Sequence, residues 1–149
     1  MIKGYLLDTS VVSVLAPRRE AFVPTPFGAW LQAHHKELFL PSIAIAEMAQ
    51  GIVKLRRDGG VARADRFEHW LDGLLAAYCD RILPLDAQSA RLAGQISDAA
   101  IAQGRHPGFA DVAIAALAQN AGLLLLTCNL KHFQSLCVAC ADPLIALPA

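Results

Sequence analysis

The stretch FADVAIAALAQNAGLLLL, residues 109–126, changes character once. Up to Ala121 it is rich in alanine, the residue with the highest helix propensity, and Gly122 ends the run as glycine commonly ends a helix. Leu123 to Leu126 is apolar without alternation and too short for a second helix, so it reads as a strand buried on both faces. Helix, glycine and buried strand together make the repeating unit of a parallel sheet covered by helices.

The same alternation extends outward in both directions. Gly4 to Leu7 is a short apolar strand that ends at Asp8-Thr9-Ser10, and Phe22 to Lys36 reads as a helix opened by Pro24 and Pro26. Glu37 to Leu40 is a second strand, closed by Pro41. Ser42 then caps a helix from Ile43 to about Asp58, which Gly59-Gly60 terminates. Val61 to Tyr78 is the next helix, with Phe67, Trp70, Leu71, Leu74 and Leu75 on one face. Arg81 to Leu85 is a third strand, Asp86 caps a helix that runs to Gln103, and residues 104–108 form a loop. A short helix from Leu130 to Ser135 and an edge strand near Cys137 to Ala141 complete the pattern. The expected fold is α/β, a three-layer α/β/α sandwich with a central, mostly parallel sheet, spanning residues 1–149 as one domain. In such sheets chemistry is sought beyond the carboxyl ends of the strands.

Composition narrows the function. Hydrophobic residues make up 55% of the chain and charged residues 17%, which excludes intrinsic disorder. Thirteen basic and thirteen acidic residues cancel, so nucleic-acid binding has to rest on a local patch. No signal-like apolar stretch follows Met1, and the most apolar region, Val112 to Leu126, is too short to span a bilayer. Four cysteines then read as reduced thiols in the cytoplasm, with no membrane partner.

Three acids stand out because their surroundings are apolar. Asp8 follows the first strand directly; it either caps the next helix or faces a solvated crevice or a cation. Glu47 is the only charge between Pro41 and Lys54, and Asp111 the only one from Gly108 to Lys131. All three fall where strands end or helices begin. Carboxylates that share a crevice repel one another unless a cation sits among them, which points to a hard divalent metal, Mg²⁺ or Mn²⁺, with oxygen ligands. That chemistry suits phosphodiester hydrolysis, without separating a nuclease from a phosphatase.

Leu6-Leu7-Asp8-Thr9-Ser10, the Glu47 helix, Phe109-Ala110-Asp111 with Ile114-Ala115, and Thr127-Cys128-Asn129 with His132-Phe133 together resemble the PIN-domain proteins. The resemblance is strongest to the VapC-type ribonuclease toxins of type II toxin–antitoxin modules, and it is collinear from Tyr5 to about Leu144. It implies that Asp8, Glu47 and Asp111 are metal ligands, with Thr9, Ser10 and Thr127 as polar neighbours that orient ligands or water. It also implies an RNA substrate, a cognate antitoxin that blocks the acidic site, and a homodimer. Family members often carry a fourth acid where this chain has Asn129, which can bond a metal-bound water but adds no charge.

Other features invite separate readings. Lys54, Arg56, Arg57, Arg63 and Arg66 outnumber Asp58 and Asp65 on a helical hairpin, which is either a solvated tip or a seat for RNA phosphates. Arg105 and His106 are weaker candidates for the same task. Cys128, His132, Cys137 and Cys140 have zinc-like spacing but lack the glycine turns of a zinc knuckle. Asp98 fits a solvated helix position. Phe27, Trp30 and Leu31 are either core or an exposed apolar surface for a partner. A non-catalytic RNA- or protein-binding module is the alternative to a nuclease, although it would gain nothing from mutually repelling acids.

Overall fold

The computed structural model describes residues 2–17 and 24–149. Five short strands form one parallel sheet in the order β3-β2-β1-β4-β5. They are β1 (Tyr5–Leu7), β2 (Leu38–Pro41), β3 (Ile82–Leu83), β4 (Leu124–Leu126) and β5 (Cys140–Ala141). Tyr5 pairs with Leu38 on one side and Leu124 on the other, so β1 lies at the centre of the sheet. The helices are α1 (Thr9–Val14), α2 (Thr25–Ala33), α3 (Ser42–Arg57), α4 (Val61–Ala77), α5 (Ala87–Ala102), α6 (Phe109–Ala121) and α7 (Leu130–Gln134).

Alternation along the strands divides the core into two apolar layers. Leu6 and Leu125 point to one face, where they pack with Ala93 and Ala100 of α5, residues 112 and 114–118 of α6, and Phe133 of α7. Tyr5, Leu7, Leu38, Leu40 and Leu126 point to the other, against Val11, Val12, Phe27 and Trp30. A satellite cluster of Ile52, Ala64 and Leu71 holds α3 against α4. The architecture is the three-layer sandwich expected from the apolar runs, and every strand pairing in it is parallel.

Two glycines are required by geometry. Gly122 ends α6 in the left-handed region at φ 67°, and Gly4 enters β1 at φ 153° with its backbone against Glu37. A Cβ at Gly4 would lie 2.5 Å from the Glu37 carbonyl oxygen.

The structure departs from the sequence reading at several points, one of them being that Ser42 is the first residue of α3, with Pro41 at the N-cap position and no side-chain cap bond. Thr9–Val14 is a helix, where the sequence suggested only the end of a strand. Three β-branched valines are weak helix formers, and burial of Val11 and Val12 outweighs that propensity. The helix expected over 22–36 is Thr25–Ala33 followed by a 3-10 turn at His35–Glu37; residues 22 and 23 lie outside the described residues. The third strand expected over Arg81 to Leu85 and the edge strand expected near Cys137 to Ala141 shrink to two residues each, at Ile82–Leu83 and Cys140–Ala141. Of the two readings of Phe27, Trp30 and Leu31, the core one holds: Phe27 (1% exposed) and Trp30 (8%) are buried, with Leu31 packed against them. Apolar spacing marks a buried face without saying whether the chain itself buries it. No helix among the described residues is long and apolar enough to cross a membrane.

Candidate active site

The strand order sets where the site can lie. From the central β1 the chain moves outward to β2 and β3, then returns to β4 on the opposite side of β1. The connections leaving β1 and β4 diverge, and the gap beyond their carboxyl ends is where such sheets hold ligands. Asp8 follows β1 directly and Thr127 follows β4 directly, and they meet across this gap. The Asp8 amide first extends the sheet by donating to the Leu126 carbonyl at 2.9 Å.

Asp8 is 4% exposed and occupies the N-cap position of α1, yet its side chain makes no cap bond. Its carboxylate is used differently. Thr127 Oγ1 donates to Asp8 Oδ2 at 2.8 Å, and Ser10 Oγ donates to the same oxygen at 2.7 Å. Both hydroxyls are fixed from behind: Asn129 N–H donates to Thr127 Oγ1 and Cys128 N–H to Ser10 Oγ, each at 3.0 Å. No hydrogen bond from the described residues reaches Asp8 Oδ1.

Glu47 lies in the second turn of α3, which starts at the carboxyl end of β2. The side chain is exposed and accepts from Thr9 Oγ1 at 2.6 Å, so one hydroxyl links α1 to α3 next to Asp8. Asp111 is in the first turn of α6, which precedes β4 and therefore begins at the same edge of the sheet. It is partly exposed, and its Oδ2 lies 3.1 Å from Nδ1 of His132 on α7. Asn129 is the exposed N-cap residue of α7 and reaches the site through its backbone amide.

The three acids thus border one edge without forming a closed ligand set. Among the described residues, no group of three or more His, Cys, Asp or Glu side chains stands close enough to hold a metal ion. The arrangement still suits a hard cation in its chemistry. Among the described residues neither Asp8 nor Glu47 has a basic partner, and the side chains that hydrogen-bond to their carboxylates are all hydroxyls. The zinc-like set does not gather: His132 turns to Asp111 and Cys137 is exposed. Burial pushes the Cys128 thiol up, the carboxylates of Asp142 and Asp8 push it further, and only the Ser10 hydrogen bond opposes them. A thiol held neutral in this way is a poor nucleophile and a poor metal ligand.

The basic hairpin is partly spent on itself. Lys54 pairs with Asp58 at 2.6 Å, and Arg56 pairs with both Asp65 and Glu68, which raise its pKa. Arg57 and Arg66 have no ion pair among the described residues, and the Arg63 guanidinium lies over the Phe67 ring at 5.4 Å. Asp98 is exposed on α5, as its spacing suggested. Beside Glu47 and Thr9 a groove of about 460 Å³ runs between α3 and α4, with Met48, Ile52, Leu55, Phe67 and Trp70 on its apolar wall. Two roles were not visible in the sequence. His132 is the partner of Asp111, twenty-one residues away. Asp142, the first residue after β5, is a further acid at the same edge, and its carboxylate accepts from the Leu144 amide at 2.9 Å. Its place directly after a strand, like that of Asp8, is the signal that could have found it.

Comparison with known proteins supplies independent evidence. The chain is 30% identical over 135 residues to VapC ribonuclease Y4jK of Sinorhizobium fredii, covering 87% of this chain and 90% of that protein. It is 31% identical over 142 residues to Toxin FitB of Neisseria gonorrhoeae, covering 93% and 96%. The crystal structure of FitAcB from Neisseria gonorrhoeae superposes with a TM-score of 0.78 at 29% identity, over 94% of this chain and 98% of that one. The model of the PIN domain matches residues 5–138, a span that runs from the strand before Asp8 to the segment leading into β5. With that match over most of its length, the chain belongs to the PIN-domain family.

Proposed function

We propose that this protein is a metal-dependent endoribonuclease of the VapC type, a toxin that hydrolyses RNA and is neutralised by a cognate antitoxin. The observation that carries the reading is Asp8. It is a buried carboxylate at the switch point, held by two hydroxyls on one oxygen, and among the described residues it has no basic partner and no hydrogen-bond donor at the other oxygen. A charge removed from water without a cation is costly, and a protein keeps one where that charge has work to do. The names of the two relatives, a ribonuclease and a toxin, support the same assignment.

In this reading Asp8, Glu47 and Asp111 would hold Mg²⁺ or Mn²⁺ through carboxylate oxygens. The bound ion supplies a water of lowered pKa and stabilises charge on the phosphate. The chain's own contribution is orientation. Ser10 and Thr127 fix the Asp8 carboxylate in one rotamer, and Thr9 does the same for Glu47. Asn129 holds Thr127 through its amide, and its uncharged side chain adds no repulsion among the acids. The apolar groove beside Glu47 suits an apolar segment of the antitoxin, which would cover the acidic edge from that side.

The deciding experiment is incubation of total bacterial RNA with the purified protein in Mg²⁺, Mn²⁺ or EDTA, beside Asp8→Ala. Cleavage that needs metal and is lost in the variant supports the assignment. Cleavage that survives in the variant comes from another nuclease. If neither protein cuts, the binding-module reading replaces this one.

A further inference from the structure

On the opposite side of the candidate site from the hairpin, a cleft of about 580 Å³ opens beside Asp111. Arg105 and His106 line it from the loop before α6, and Lys131 and His132 from the start of α7. Arg105 is steadied by donating from Nη1 to the Ser135 carbonyl at 3.2 Å, which ties the loop to the end of α7 and leaves most of its N–H donors uncommitted. Lys131 is exposed and has no ion pair among the described residues. From Ala99 to Ala141 the chain carries only three charged residues: Arg105, Asp111 and Lys131. The two cations therefore face the cleft with one acid between them, and that acid is paired with His132.

In the hairpin Asp58, Asp65 and Glu68 absorb Lys54 and Arg56, while Arg57 and Arg66 have no ion pair among the described residues. Cations that serve only solubility are scattered or paired with acids. Two that converge on a cleft wall with no ion pair among the described residues, next to a carboxylate of the candidate site, form a seat for an anion. We propose that this cleft binds a phosphate of the RNA backbone on one side of the bond to be cut, with Arg105 and Lys131 as its positioning residues. The proposal rests on the nuclease reading, and it gives the substrate path a contact on the Asp111 side. Contacts of this kind fix register without reading sequence.

The test is fluorescence anisotropy of a short labelled single-stranded RNA with the full chain carrying Asp8→Asn, so that binding is read without cleavage. The expected result is that adding Arg105→Ala and Lys131→Ala weakens binding on the order of tenfold at moderate salt and flattens the salt dependence by about 0.7 per lost phosphate contact. Arg105→Lys with Lys131→Arg, which keeps both charges, should retain most of the affinity, and Lys131→Glu should lose more than Lys131→Ala. Both residues are exposed, and matching thermal unfolding of the variants separates lost binding from lost folding. Equal affinity and equal salt slope in the double alanine variant overturn the proposal and leave the nuclease reading standing. The proposal also falls if the alanine variants weaken the antitoxin complex but not RNA binding, because the cleft then belongs to a protein partner. If the Asp8→Asn parent binds no RNA even at low salt, the nuclease reading falls and takes this proposal with it.

Discussion

Replacing Thr127 separates two accounts of why a hydroxyl is buried at the end of β4. The side chain is fully buried, donates to Asp8 Oδ2 at 2.8 Å and accepts from the Asn129 amide at 3.0 Å. Thr127→Val keeps the shape and removes the hydroxyl. A hydrogen bond to a charged group contributes roughly 1.5–3 kcal/mol, and an amide left without its acceptor costs about 1 kcal/mol more when water can still reach the loop. The expected loss is therefore about 2–4 kcal/mol. Thr127→Ser keeps both bonds and removes one buried methyl, worth about 1 kcal/mol. If burial alone decided the matter, valine would be the more stable of the two. The hydrogen-bond account puts serine ahead by at least about 1 kcal/mol. Urea unfolding followed by the fluorescence of Trp30 and Trp70 resolves the order. At a slope of roughly 1.5 kcal/mol per molar, a loss of 3 kcal/mol moves the midpoint by about 2 M. A valine variant as stable as the serine variant, with unchanged slope, would refute the claim that Thr127 is held in place by Asp8.

Asp86 caps α5 by accepting from the Ser89 amide at 2.8 Å, which lowers its pKa. A group depressed in the folded state stabilises above its unfolded value and loses that effect as pH falls through the folded one. Asp86→Ala should accordingly melt below the wild type at neutral pH, and the gap should close toward pH 3; a gap independent of pH refutes the cap. At mildly alkaline pH, iodoacetamide should modify exposed Cys79 and Cys137 well before Cys128 and Cys140, whose thiols burial pushes up; mass spectrometry of the digest gives the order, and early labelling of Cys128 would contradict it. Arg81→Ala should cost about 2 kcal/mol in urea unfolding, because its guanidinium donates to the carbonyls of His35, Leu38 and Ala77 at the entry to β3. Arg81→Lys should rescue little of this, since a single ammonium does not reproduce the planar fork.

The fold was readable because its strands are continuous apolar runs and three of its helices, α3, α5 and α6, end at the glycines Gly59, Gly104 and Gly122, both local signals. Gly122 and the leucines from Leu123 to Leu126 state a helix, a break and a buried strand without reference to the rest of the chain. What could not be read locally was decided at a distance. Helix α1 forms although its valines argue against it, because Val11 and Val12 are needed in the layer with Phe27 and Trp30. Arg81, which the sequence marks only as the first residue of the third strand, ties together carbonyls at the end of α4, in the 3-10 turn and in β2. The hairpin arginines look available until Arg56 is seen reaching across to Asp65 and Glu68.

The candidate site divides along the same line. Asp8, Glu47 and Asp111 announce themselves in the sequence because each is a lone charge in apolar surroundings, and a lone charge is expensive wherever it is buried. Their supporting residues carry no such mark. Thr9, Ser10 and Thr127 are ordinary hydroxyl residues until the parallel register of β1 and β4 sets Leu7 beside Leu126, so that the residues that follow, Asp8 and Thr127, face each other. Pairing of this kind follows from strand order, which one sequence does not state. The consequence is mechanical. An acid at the end of a central strand inherits the rigidity of the sheet, whereas Asp111, on a helix start and paired to His132 on a short helix, does not. Asp8 and Thr127 therefore form the wall of the candidate site that the sheet fixes, and Asp111 takes its place from α6 and from its contact with His132.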